Sequence, residues 1–150
     1  MNAFGKEIPN DAICIFPEGT TKGGALNTMI DAICNLGVVG NRESFEKALY
    51  ERESIRSTGF KGVAIPHVRI DEISEPTVGV GISKSGIDFD SLDNDTVSII
   101  VLFAMPSGSD KEYLSYLAKA MMALRSEGFC EKLLECTTNE EVVAVLADHD

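Results

Sequence analysis

The sequence predicts a single domain over residues 1–150, an α/β or α+β sandwich in which helices at both ends of the chain enclose a few apolar strands. Three observations lead there. Short apolar runs closed by turn residues read as strands. Apolar residues at offsets of three and four read as helices. No repeat, low-complexity tract or linker divides the 150 residues, which suffice for one buried core.

Ala12–Phe16 is an apolar run closed by Pro17-Glu18-Gly19, a first strand and its turn. Leu26, Met29, Ile30 and Ile33 then follow helical spacing, with Gly37 as the stop. A second helix runs from Glu43 to about Arg52, with Phe45, Ala48 and Leu49 on its apolar face. Arg52, seven residues after Phe45, falls on that same face. It either lays its stem over the core and holds its guanidinium at a cleft, or pairs with Glu51 or Glu53 or favours the helix dipole. Spacing leaves both open.

The loop from Arg56 to Gly62 leads into Val63–Ile70, whose alternation puts Ile65, His67 and Arg69 on one face and Ala64, Pro66 and Val68 on the other. Pro66 lacks an N–H and belongs at a strand edge or end. Thr77–Ile82 is another strand, and Ile87-Asp88-Phe89 a short hairpin arm. Val97–Met105 is almost continuously apolar, as expected of a central strand covered on both faces. The final third reads as helices. Ser109-Asp110-Lys111-Glu112 has the pattern of a capping box, followed by Leu114, Leu117, Met121 and Leu124 along one face and Gly128 at the end. Phe129–Cys136 forms a short helix, and Thr138-Asn139-Glu140-Glu141 caps a last one carrying Val142, Val145 and Leu146. Strand order does not follow from the pattern.

A formal net charge of −11 argues against nucleic acid as partner, because a phosphate backbone requires a basic footprint. It also disfavours an anionic membrane surface. No apolar run approaches the roughly 20 residues of a membrane helix, and the N-terminus lacks the basic start and apolar stretch of a secretory signal. The expected location is cytoplasmic. Cys14, Cys34, Cys130 and Cys136 are far apart and form no Cys-x-x-Cys, so no metal set is expected. Buried free thiols are the simplest reading; a redox role would need two of them to meet in space.

The segment Ser57-Thr58-Gly59-Phe60-Lys61-Gly62-Val63-Ala64-Ile65-Pro66-His67 delivers the only histidine outside the C-terminal tail to the end of a glycine-punctuated loop. Imidazole suits nucleophilic or proton work near neutral pH. Taken alone, a histidine in an apolar strand is more often a hydrogen-bonded core residue than a catalyst. Its neighbours favour chemistry: Thr58, Gly59 and Gly62 can bring amides and a hydroxyl close. Arg52 and Arg69 are cations suited to a phosphoryl group. A nucleophilic histidine with anion donors describes a phosphohistidine site better than a hydrolase. There is no Gly-x-Ser-x-Gly elbow, no Gly-x-x-x-x-Gly-Lys-[Ser/Thr] loop, and no Gly-x-Gly-x-x-Gly after a strand.

From about Met29 onward the chain resembles the enzyme IIA components, fructose/mannitol type, of the bacterial phosphoenolpyruvate-dependent sugar phosphotransferase system. The resemblance is carried by Phe45–Glu53, Ser57-Thr58-Gly59-Phe60, Gly62–His67 with its Ala-Ile-Pro-His string, Val78-Gly79-Val80, Ile87–Asp93 and Val101-Leu102-Phe103-Ala104. It implies an α/β fold with a mixed β-sheet sandwiched between helices. It further implies that His67 takes a phosphoryl group on Nε2 from the histidine phosphocarrier protein. His67 would then pass the group to a cysteine or histidine of a IIB component, with the membrane IIC component reached through that complex. Arg52 would help bind the phosphoryl group, Thr58 and Gly59 would shape the pocket, and no cofactor is implied. The chain departs from the family in two places. Tyr113 stands where most relatives have a second histidine, able to donate a hydrogen bond but not to carry positive charge. The loop from Thr58 to His67 is about one residue short. An alternative function on the same fold is a regulatory binding module that signals by its phosphorylation state without feeding a transporter. A structural protein with a core histidine is a third.

Overall fold

The structure, a computed structural model, describes residues 2–148. Its elements are β1 (Asn2–Ala3), β2 (Lys6–Glu7), a 3-10 turn (Asn10–Ala12), β3 (Ile13–Ile15), α1 (Lys22–Asn35), α2 (Arg42–Ile55), β4 (Val63–Ala64) and β5 (His67–Arg69). They continue with β6 (Thr77–Ile87), β7 (Val97–Met105), α3 (Asp110–Arg125), α4 (Phe129–Glu135) and α5 (Asn139–Ala147). The main sheet has the order β3-β6-β7-β4, with β5 also beside β7. β3 is parallel to β6, β6 is antiparallel to β7, and β4 and β5 are parallel to β7, so the sheet is mixed.

Alternation along β7 explains why its sequence is apolar throughout. Ile99, Val101, Phe103 and Met105 enter one core, shared with α3, α4 and α5. Ile100, Leu102 and Ala104 enter a second, shared with α1 and α2. Each fully buried Leu, Ile or Phe contributes about 1.5–3 kcal/mol. The sheet is therefore covered on both faces, and the fold is the α/β sandwich of helices about a mixed sheet.

Local chemistry accounts for where observed elements differ from expected ones. The strand expected over Val63–Ile70 is two short strands broken at Ile65-Pro66, because Pro66 has no N–H to give; its carbonyl accepts from the Phe103 amide at 3.0 Å. β6 continues to Ile87 through a register shift after Ile82, with Gly86 at φ +83, so Ile87 belongs to that strand rather than to a separate arm. α2 begins at Arg42, where Asn41 accepts from the Ser44 amide, and runs three residues past Arg52. The β1–β2 hairpin has no signal in the sequence, because its tight turn holds a buried Phe4 at φ 57, a conformation that phenylalanine does not advertise.

Two expectations for α3 are corrected. Ser109 does not cap the helix; its hydroxyl donates to the Pro106 carbonyl instead. The inward face is Tyr113, Ala120 and Ala123, whereas Leu114 is 59% exposed. Tyr113 meets Phe103 edge-on at 5.4 Å. Of the expected leucine stripe, Leu114 faces solvent, while Leu117 and Leu124 pack half-buried against the core. The second capping box forms as expected, with Thr138 accepting from the Glu141 amide at 3.2 Å.

Candidate functional site

His67 is the first residue of β5, half-buried and in register with Phe103 of β7. Its Nδ1 lies 2.9 Å from the carbonyl oxygen of Ile65. A carbonyl can only accept, so this bond requires the proton on Nδ1 and leaves a lone pair on Nε2. Arg52, in the last turn of α2, donates from Nε toward that lone pair across a long 3.4 Å and from Nη1 to the Arg56 carbonyl at 2.9 Å. Burial lowers the His67 pKa below its ordinary value. The Ile65 bond opposes this, Arg52 and Arg69 push further down, and Glu53 pulls weakly back. The imidazole is therefore neutral at pH 7, with a bare nitrogen beside a guanidinium.

Thr58 and Gly59 sit where the loop leaves α2, but their amides are not the open anion donors that the glycines suggested. The Thr58 amide donates to Glu53 at 3.4 Å and the Gly59 amide to the Ser57 hydroxyl at 3.1 Å, whose own proton goes to the Phe89 carbonyl. The Thr58 hydroxyl donates to Glu53 at 2.6 Å and accepts from the Ile65 amide at 3.2 Å. Gly59 is there for steric reasons, since a Cβ at that position would lie 2.5 Å from the Ser91 hydroxyl. Among the loop's neighbours, Arg52 is thus the donor aimed at His67 Nε2.

Tyr113 is buried with its ring centroid 5.5 Å from that of His67. Burial raises its pKa, against the pull of Arg69 and Arg52, so it is a neutral phenol at pH 7. Arg69 lies over the other part of this cluster, its guanidinium 5.3 Å from the Tyr113 ring and 2.9 Å from Asp110. It contributes field at His67 while its hydrogen bonds are directed to α3. Arg52, Thr58, His67 and Tyr113 border one open pocket of about 350 Å³, together with Arg56, Ser57, Ile65, Leu92 and Leu117. Gly59 and Arg69 lie outside its lining.

Sequence reasoning missed Glu53. Its carboxylate is buried, clamps both polar groups of Thr58, and pairs with Lys22 at 3.0 Å, which in turn sits over the Phe89 ring. The signal was available: Glu53 is four residues after Leu49, a carboxylate inside the apolar stripe of a helix. The four cysteines are free thiols; Cys14 and Cys136 are buried, Cys34 and Cys130 half-buried. Burial, then Asp31, pushes Cys14 up to about 11. Among the described residues no group of three or more His, Cys, Asp or Glu could hold a metal, and no helix is long and apolar enough to cross a membrane.

Residues 8–149 match the family model described as phosphoenolpyruvate-dependent sugar phosphotransferase system, EIIA 2. The chain is 33% identical over 141 residues to the fructose-specific EIIA component of Haloferax volcanii, covering 93% of this chain and 92% of that one. It is 28% identical to part of the fructose-specific EIIABC component of Bacillus subtilis, covering 89% of this chain and 21% of that longer protein. Among solved structures, the nitrogen regulatory protein IIA-Ntr of Neisseria meningitidis superposes with a TM-score of 0.83 at 26% identity, over 93% of this chain and 95% of that one. Sequence and architecture agree, and the chain belongs to the EIIA 2 family of the phosphoenolpyruvate-dependent sugar phosphotransferase system.

Proposed function

We propose that the protein is a single-domain, cytoplasmic phosphoryl carrier. In this reading it accepts a phosphoryl group on His67 Nε2 from the histidine phosphocarrier protein and hands it to a IIB component coupled to sugar uptake. The observation that carries this reading is the hydrogen bond from His67 Nδ1 to the Ile65 carbonyl, which leaves Nε2 unprotonated beside Arg52. The Nε2 lone pair attacks phosphorus, the donor's P–N bond breaks, and its electron pair returns to the donor imidazole. No proton leaves His67 in this step; Nδ1–H stays on Ile65, which also favours the positive ring that the new P–N bond creates. Arg52 moves from the nitrogen to the phosphoryl oxygens, where a guanidinium is worth more than at a neutral lone pair. Handing the group on reverses these events toward the acceptor. The Bacillus subtilis relative, named as an EIIABC component, supports a IIB acceptor.

Incubation with phosphoenolpyruvate, enzyme I and the phosphocarrier should add one acid-labile phosphate to the wild type and none to His67→Ala. Equal labelling of the two would overturn the assignment. A second reading, a regulatory module that signals by its phosphorylation state, is favoured by Tyr113 in place of a histidine and by the likeness to IIA-Ntr. It predicts loading of His67 without onward transfer to any IIB component.

A further inference from the structure

Arg56 follows the last residue of α2, one turn after Arg52, and these two are the cations that line the His67 pocket. No carboxylate lines it, in a chain of 24 acidic and 13 basic residues. A hydrogen bond ties the pair together. The Arg56 carbonyl accepts from Arg52 Nη1 at 2.9 Å, while Arg52 Nε lies 3.4 Å from His67 Nε2. Only the breadth of one guanidinium and two polar contacts separates the Arg56 backbone from that nitrogen. A side chain as long as arginine spans such a gap. Arg56 is exposed, with an extended backbone (φ −166, ψ 130), so its side chain has room to swing over the mouth of the pocket.

Nothing else claims this guanidinium. Among the described residues Arg56 has no ion-pair partner. The carboxylates around the pocket are engaged elsewhere: Glu51 faces Lys47, Glu53 holds Thr58 and Lys22, Asp110 holds Arg69, and Asp93 accepts from the Lys61 amide. The opposite wall has a matching shortfall. Tyr113 is a neutral phenol there, and Arg69 directs its Nη1 to Asp110. Of the cations bordering His67, Arg52 alone is already aimed at Nε2, and its Nη1 is given to a backbone carbonyl. A phosphoryl dianion has three oxygens, which two guanidinium forks satisfy better than one.

We infer that Arg56 is a second phosphoryl-binding residue: when Nε2 of His67 carries the group, the Arg56 guanidinium closes over the pocket mouth and donates to the phosphoryl oxygens beside Arg52, supplying the positive charge that Tyr113 cannot carry. The inference rests on the phosphoryl-carrier reading. A guanidinium stays charged throughout the range in which an imidazole titrates, so this cation is present at any pH where transfer runs.

The test uses phosphoramidate, a small donor that isolates the phosphoryl contact from any protein contact. Its P–N bond breaks as Nε2 attacks phosphorus, and ammonia leaves with the electron pair. Arg56→Gln should load about tenfold more slowly than wild type, less than a fully enclosed donor would cost because Arg56 is exposed. Its melting temperature should be unchanged, and Arg56→Lys should recover part of the rate. Phosphorus NMR of the loaded proteins adds a readout that a structural role would not move. The second ionisation of the phosphoryl group should fall at lower pH in wild type and Arg56→Lys than in Arg56→Gln, because a nearby cation favours the dianion. Lys132→Gln, the same loss of charge on α4, should match wild type in both readouts. Equal loading of wild type and Arg56→Gln, or an unshifted phosphoryl ionisation, overturns the assignment. So does a defect seen with the phosphocarrier protein and not with phosphoramidate, which would make Arg56 a contact for the protein donor. If Arg56→Gln melts lower, the ionisation in Arg56→Lys decides: a value near wild type supports the contact, and one equal to Arg56→Gln overturns it. A wild type loaded by neither donor overturns the carrier reading and this inference with it.

Discussion

On one side of His67, Glu53 engages both polar groups of Thr58 and Lys22, and the Thr58 hydroxyl reaches on to the Ile65 amide. On the other, Arg52 meets Nε2 only across 3.4 Å, and Tyr113 brings a ring without a hydrogen bond between them. The first wall is satisfied around the buried Glu53; the second has donors and a lone pair still to be filled. Ile65 joins them, since its amide belongs to the clamp and its carbonyl sets the tautomer of His67. The difference teaches that His67 Nε2 is positioned by a wall that makes no hydrogen bond to it. Strain or loss in that wall should reach the imidazole through Ile65 and through the weak electrostatic pull of Glu53.

Breaking the open wall should have the larger effect on transfer. Arg52→Ala removes the one donor aimed at Nε2 and should slow loading of His67 about 100-fold, as for other single donors at a developing charge. Thermal stability should change little, because among the described residues the guanidinium's only other hydrogen bond is to the carbonyl of the exposed Arg56. Single-turnover loading beside a melting curve separates the two quantities. Breaking the closed wall should reverse the pattern. Glu53→Ala removes the acceptor of both Thr58 donors and leaves Lys22 only the Phe89 ring and a 4.0 Å contact to Asp90, and should cost about 2 kcal/mol, less than a fully buried pair because Lys22 keeps some solvent. Denaturant unfolding reads that loss, with a roughly tenfold slower loading from a mobile Ile65. Glu53→Gln, which keeps an acceptor for Thr58, should recover most of the loading rate and only part of the stability.

The sequence carried the apolar content of β7, the helical stripes and the breakpoint at Pro66, because those signals are local periodicity and a missing N–H. It singled out His67 through residue type and setting, and left Arg52 open on spacing until the family resemblance. The rest depended on contacts between distant segments. The place of Glu53 on the apolar stripe of its helix was legible, but only packing reveals that it clamps a loop residue five positions away. Thr58 and Gly59 suggest amide donors because glycine permits that geometry, yet the folded loop turns both amides inward. The burial of Tyr113 goes with its edge-on packing against Phe103 of β7, a partner that spacing within α3 does not reveal.

The fold keeps the proton on Nδ1 of His67 and the lone pair on Nε2, and the proposed transfer depends on that arrangement. Long-range nitrogen–proton NMR of the imidazole across pH tests it directly. The expected result is the Nδ1–H tautomer at neutral pH and a titration midpoint below the ordinary 6.5. In linkage terms, the unfolded chain then takes up the proton first, so the stability from a neutral His67 is present above 6.5 and lost as pH falls through the folded midpoint. An Nε2–H tautomer, or a midpoint above 6.5, would contradict this arrangement.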